Sequence, residues 1–191
     1  MPSERREIRT VTDPRPLRAL AHPLRLELLD LLDREGELTA TRASQLTGHN
    51  SANCSFHLRH LAKHGFVEQA EASNRRERPW RRVAAGERVA TTGDAQLLEA
   101  SAAVGELILG RVAAEAARFL RGSRGDLAWQ DASFLTSDIL YLSEEELREL
   151  GREVGAAIAR RAGRTPAEAK SHRDLRPVRA AAALFPLEAL E

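Results

Sequence analysis

Ser51-Ala52-Asn53-Cys54-Ser55-Phe56-His57-Leu58-Arg59-His60-Leu61-Ala62-Lys63 is the stretch whose reading decides the fold. Asn50 before it is a strong N-cap residue, and Gly65 after it is a helix stop, so the spacing predicts a helix over 51–64. Cys54, His57, Leu58 and Leu61 fall at i, i+3, i+4 and i+7; they share one face and should be buried. The opposite face carries Ala52, Ser55, Phe56, Arg59 and Lys63. Such a mixture of small, hydrogen-bonding, apolar and cationic groups can read base edges in a major groove: Arg59 can bond to guanine, and Phe56 or Ala52 can touch a thymine methyl. The same pattern also describes an ordinary amphipathic helix whose polar face is merely solvated.

Upstream, Gly48-His49-Asn50 is a tight turn, in which glycine supplies the positive φ of a sharp reversal. It follows a helix predicted over 40–47 with Thr39 as N-cap. Asp13-Pro14 gives another N-cap with proline at the first helical position, and Leu17, Leu20 and Leu24 lie on one face. Pro23 interrupts that helix and starts the next. There Leu24, Leu28, Leu31 and Leu32 repeat at helical spacing, Leu26 and Leu29 broaden the stripe, and Gly36 ends it. Residues 1–12 are polar and are expected to form a flexible N-terminus.

Downstream, residues 65–70 alternate as a strand would, and 78–83 can return beside them. Asn74 suits the turn between, while Arg75, Arg76 and Arg78 place guanidinium groups near one tip. Pro79 implies an edge position for the return strand. The arginines can serve phosphate contact; they can equally blunt an exposed sheet edge.

The order of these motifs resembles the winged helix-turn-helix of ArsR-type bacterial transcription regulators. The resemblance rests on Ser55-Phe56-His57-Leu58-Arg59-His60-Leu61, Gly65-Phe66-Val67-Glu68, the basic hairpin, and Ala21-His22-Pro23-Leu24-Arg25-Leu26-Glu27-Leu28-Leu29, over about residues 15–85. It implies that 51–63 is a recognition helix, that 75–78 form a wing, and that His57 is structural. The metal-sensing members commonly carry two cysteines on the helix before the recognition helix, but here that helix reads Thr39-Ala40-Thr41-Arg42-Ala43-Ser44-Gln45-Leu46. Others place histidine on the last long helix; this chain has none between His64 and His172.

Composition favours helices, since aromatics make up only 4% of the 191 residues. Net charge is +1, which excludes a polycation, yet residues 1–90 hold 16 Lys and Arg against 12 Asp and Glu. The front half is thus the positive one and suits local contact with phosphate. The single cysteine excludes an intrachain disulfide and speaks for a reducing compartment. No uninterrupted apolar run is long enough to span a membrane, and a cytoplasmic protein is expected.

Residues 94–121 contain no proline and spread leucine, valine and alanine over a wide surface, as expected of a dimerisation helix or of a helix covered within its own chain. After a break at 122–126, 134–142 have strand-like content. Ser143 to Glu146 form a capping box for a helix carrying Leu147, Leu150, Val154 and Ile158. Residues 165–168 repeat the capping pattern, and 176–185 can form a last strand, pairing with the first in a small, weakly acidic α+β segment.

Cys54, His57, His60 and His64 are candidate metal or redox residues, but the first two belong to the core face, and a closed zinc site takes four ligands. Glu144, Glu145 and Glu146 are better explained by the helix N-terminus than by catalysis. No phosphate loop, nucleophile elbow or paired-histidine zinc motif occurs.

The expected fold is therefore mainly α with small β. A flexible N-terminus (1–12) precedes a winged helix-turn-helix DNA-binding domain (13–90) and a dimerisation and effector-binding region (91–191). The expected function is a sequence-specific transcription regulator, a homodimeric repressor on an inverted repeat. The alternatives are a winged-helix protein-interaction module or a redox- or metal-responsive regulator using Cys54. The expected DNA-binding residues are Asn50, Ser51, Ala52, Asn53, Ser55, Phe56, Arg59, Lys63, Arg75, Arg76 and Arg78. A small apolar effector is expected near Trp129, Phe134 and Tyr141. No catalytic residue, metal or cofactor is expected.

Overall fold

Proline and side-chain caps set the boundaries of the front helices. In the computed structural model, which describes residues 8–71, 78–83, 86–122, 127–162, 164, 166–172 and 174–187, strand β1 (Ile8–Val11) leads to α1 (Pro14–Leu20). The N–H of Arg15 donates to Asp13 Oδ1 at 2.9 Å and completes the N-cap. Helix α2 (Pro23–Glu35) begins at His22, whose Nδ1 accepts the Leu24 N–H at 3.2 Å, and ends at Gly36. Short strand β2 (Glu37–Leu38) follows, then α3 (Ala40–Thr47), capped by Thr39, and α4 (Ser51–Lys63), capped by Asn50.

Strands β3 (Val67–Gln69) and β4 (Trp80–Arg82) form the antiparallel hairpin, and β2 adds to its other side, giving the order β2-β4-β3. The return strand is therefore central, not an edge. Pro79 fits because it precedes the ladder and contributes only its carbonyl, which accepts the Ala70 N–H at 2.9 Å.

Strand β5 (Gly86–Val89) pairs in parallel with β1, from Ile8 opposite Gly86 to Val11 opposite Val89. This corrects the expectation of a flexible tail through residue 12. Val11 is buried in the main core, so part of the N-terminus is held by packing as well as by the ladder.

Helix α5 (Ala95–Gly122) starts at Asp94, whose Oδ1 accepts the Leu97 N–H at 2.8 Å. Leu97, Ala100, Ser101 and Val104 lie buried at i, i+3, i+4 and i+7. Leu97, Ala100 and Val104 join Leu17, Leu20, Leu28, Leu32, Leu58, Leu61 and Phe66 in one apolar core.

The chain divides into two compact units, residues 1–109 with 162–177, and 110–161 with 178–191. The first also contains α8 (Pro166–Ser171), whose Lys170 Nζ lies 3.3 Å from Glu35 Oε2 at the C-terminal end of α2. In the second, α6 (Leu127–Asp131) is followed by α7 (Glu144–Ala159), which opens on the expected capping box: the Ser143 N–H donates to Glu146 Oε2 at 2.7 Å and the Glu146 N–H to Ser143 Oγ at 3.3 Å.

The expected pair of C-terminal strands does not form. Residues 134–142 and 176–187 are irregular, and no strand of the described residues lies beyond β5. Apolar and aromatic content made them read as strands, but a strand needs a partner, and neither segment supplies one to the other.

Candidate nucleic-acid interface

Helices α3 and α4 are joined by a turn that only a permissive residue allows. Gly48 has φ 75° and ends α3 in the left-handed conformation. Asn50 then turns the chain into α4, its Oδ1 accepting the Asn53 N–H at 2.7 Å. Thr47 Oγ1 donates to the Ala43 carbonyl at 2.9 Å and lies 3.7 Å from Cys54 Sγ, fastening the end of α3 to the buried side of α4.

The two faces of α4 separate as their spacing requires. Cys54, His57, Leu58 and Leu61 are buried, whereas Ala52, Phe56, Arg59 and Lys63 are exposed and Ser51, Asn53 and Ser55 are partly so. Phe56 stays 59% exposed, which is notable for a phenylalanine beside a complete core. Its ring meets His57 edge-on at 5.2 Å and stacks on His60 at 6.4 Å, so it is held in place along the helix surface. The Arg59 Nε donates to the Ser55 carbonyl at 3.2 Å.

The packing side of α4 is uncharged at neutral pH. His57 is 6% exposed, and its ring lies 4.4 Å from that of His22. Burial pushes its pKa down to about 4, and the neighbouring His22, Arg25, His60 and His49 push it the same way. Burial also lowers the pKa of His22, His60 and His64. Helix α4 thus rests on neutral rings while Arg59 and Lys63 stay on its outer face.

The hairpin beside α4 is anchored by a pair that the motifs did not single out. Arg82 is buried, and its Nε lies 3.3 Å from Asp33 Oδ1 of α2. Strict alternation from buried Trp80 already points Arg82 inward and Arg81 outward. Arg81 instead pairs across the ladder with Glu68, Nε to Oε1 at 2.8 Å. Arg78 is exposed just before β4; Arg75 and Arg76 lie outside the described residues.

Cys54 is buried and fully packed, and the described residues hold no group of three or more His, Cys, Asp or Glu placed to bind a metal ion. Trp129 is partly buried, but Phe134 and Tyr141 are 89% and 97% exposed, so the single chain builds no enclosure around them. No helix of the described residues is long and apolar enough to cross a membrane.

Four helices, a tight turn between the last two and an antiparallel hairpin after them make residues 14–82 a winged helix-turn-helix. A helix-turn-helix domain family matches residues 20–70, from the end of α1 to just past β3. No curated protein matches the chain. Among solved structures, it is similar to the homodimeric winged helix-turn-helix DNA-binding domain of a possible ArsR-family transcriptional regulator from Mycobacterium bovis. Identity is 25% over 53% of this chain and 76% of that one, with a TM-score of 0.34.

Proposed function

We propose that this chain is a transcription regulator that binds double-stranded DNA as a homodimer. In this reading α4 enters the major groove, with Ser51, Ala52, Asn53, Ser55, Phe56, Arg59 and Lys63 facing bases and nearby phosphates. Arg78, together with Arg75 and Arg76, contacts the backbone beside it. Asn50 holds the helix start in place through its cap. The observation that carries the proposal is the two-faced α4: an apolar, neutral packing side behind an exposed side bearing Arg59, Lys63 and Phe56.

Dimerisation is supported by α5, where Leu98 and Leu109 remain 42% and 54% exposed outside the buried stripe. Two-fold symmetry gives an inverted-repeat operator with half-sites about one helical turn apart. Repression follows where such a site overlaps a promoter.

Selection of bound sites from random duplexes, followed by titration at two salt concentrations, tests the proposal. Arg59→Ala should cost roughly 1–3 kcal/mol on the selected site and relax preference at one base position. Equal loss on selected and random DNA would remove Arg59 from base reading. A wild-type chain that binds no duplex even at low salt would overturn the DNA-binding reading and favour a winged helix that docks on a protein.

A further inference from the structure

Arg25 is the third residue of α2, a helix that shares its core with α4. The residue is partly exposed, yet its Nε is enclosed and has no hydrogen-bond partner among the described residues; the terminal nitrogens are not enclosed in this way. No ion pair joins Arg25 to an acid among the described residues. Histidine rings stand near it instead. Burial is the main cause of the lowered pKa of His22, His57, His60 and His64, and the charge of Arg25 lowers all four further. Asp13 acts on His64 in the opposite sense, but Arg15 already holds it, Nη2 to Oδ2 at 2.7 Å. A guanidinium stays charged at any ordinary pH, so this cluster carries a cation with no counter-charge among the described residues.

The cluster borders the outer face of α4. Phe56 and Lys63 are exposed there, and the partly exposed His60 lies beside both at helical spacing, its ring stacked on Phe56 at 6.4 Å. His60 in turn meets His64 at 5.1 Å, and on the inner side His57 meets both Phe56, at 5.2 Å, and His22, at 4.4 Å. A row of rings thus leads from the outer face of α4 to the start of α2. His22 adds a donor to it: its Nδ1 accepts the Leu24 N–H at 3.2 Å, so the neutral ring carries its proton on Nε2.

From this arrangement we infer that Arg25, assisted by the Nε2–H of His22, contacts a DNA backbone phosphate beside α4. The inference rests on the DNA-binding reading above and adds a contact from α2, outside both the recognition helix and the hairpin. A phosphate supplies the anion that the cluster lacks, and a guanidinium can bind it through two parallel N–H bonds. Such a contact fixes the register of α4 in the groove without reading a base. An unmatched, partly buried cation costs stability in the free chain, and burial already acts against the Arg25 charge. Bound phosphate relieves that cost.

The test is a titration of the full chain, as wild type, Arg25→Gln and Arg25→Lys, with the selected duplex and a random duplex of equal length, at salt from about 50 to 200 mM. Arg25→Gln should weaken binding to both duplexes by the same factor, about tenfold. It should also reduce the slope of log affinity against log salt by about 1. Arg25→Lys keeps the charge and should keep the slope. A Gln variant with the wild-type slope overturns the inference whatever its affinity, because a purely structural arginine changes affinity without changing the number of phosphates neutralised. Loss confined to the selected duplex overturns it as well. Nuclear magnetic resonance of wild type with isotope-labelled arginine guards against a variant that misfolds: the enclosed Nε–H of Arg25 should shift on adding either duplex, and an unmoved resonance refutes the contact. Wild type that binds neither duplex at low salt removes the DNA-binding reading together with this contact. Wild type that binds, beside a Gln variant of unchanged slope, removes the contact alone.

Discussion

Replacing His57 with leucine should remove much of the acid sensitivity of this fold. His57 is 6% exposed on the packing side of α4, and its pKa is held at about 4 against an ordinary value of 6.5. Because the folded value lies below the unfolded one, the unfolded chain takes up more protons between them. His57 therefore contributes its full stability above pH 6.5 and loses it as pH falls through the window to about 4. The whole window corresponds to about 3 kcal/mol, of which about 2 kcal/mol is gone by pH 5. Leucine is close to histidine in volume, does not titrate, and also removes the buried Nδ1, which has no hydrogen-bond partner among the described residues. Urea unfolding followed by tryptophan fluorescence, with Trp80 buried at β4, reads the change. Wild type should lose about 2 kcal/mol more than His57→Leu between pH 7.5 and pH 5. His22, His60 and His64 are shifted in the same direction, so the variant should retain a shallower slope. Losses equal to within about 0.5 kcal/mol would refute the assignment of the acid sensitivity to His57.

Asn50→Ala removes the acceptor of the Asn53 N–H and should cost about 1 kcal/mol in urea unfolding, with DNA affinity falling because the first turn of α4 frays. Asp33→Asn weakens the charge opposite buried Arg82 and should cost about 1–2 kcal/mol, less than a fully buried pair, because Asp33 is 37% exposed. Hydrogen exchange should show that loss first in β4, and an unchanged β4 would argue that Asp33 does not anchor the hairpin.

The front of the molecule was legible because its signals are local. Asp13, Thr39 and Asn50 cap where their side chains can reach, Pro14 and Pro23 start helices, and the period of Cys54, His57, Leu58 and Leu61 sorts one face of α4 from the other. What escaped depends on partners distant in sequence. Ile8–Val11 became a strand because Gly86–Val89 pairs with it, and no property of four residues announces that. Strand β4 is central because Leu38, far upstream, pairs with Trp80. The apolar runs at 134–142 and 176–185 misled for the converse reason: side chains that favour a strand do not guarantee a neighbour in the same chain. For the interface, the outer face of α4 follows from the positions of the buried residues, whereas the Asp33–Arg82 anchor joins elements whose proximity only the fold reveals.

The parallel pairing of β1 with β5 has a mechanical consequence. Tension applied to the chain ahead of Ile8 and beyond Val89 pulls two neighbouring, equally directed strands in opposite senses along their length. Such loading shears the ladder, so its hydrogen bonds resist together instead of unzipping one after another. The strand that leads out toward α5 is thus clamped to β1, and a pull on the long helix is resisted both by that clamp, which yields as a unit, and by Leu97, Ala100 and Val104 in the shared core.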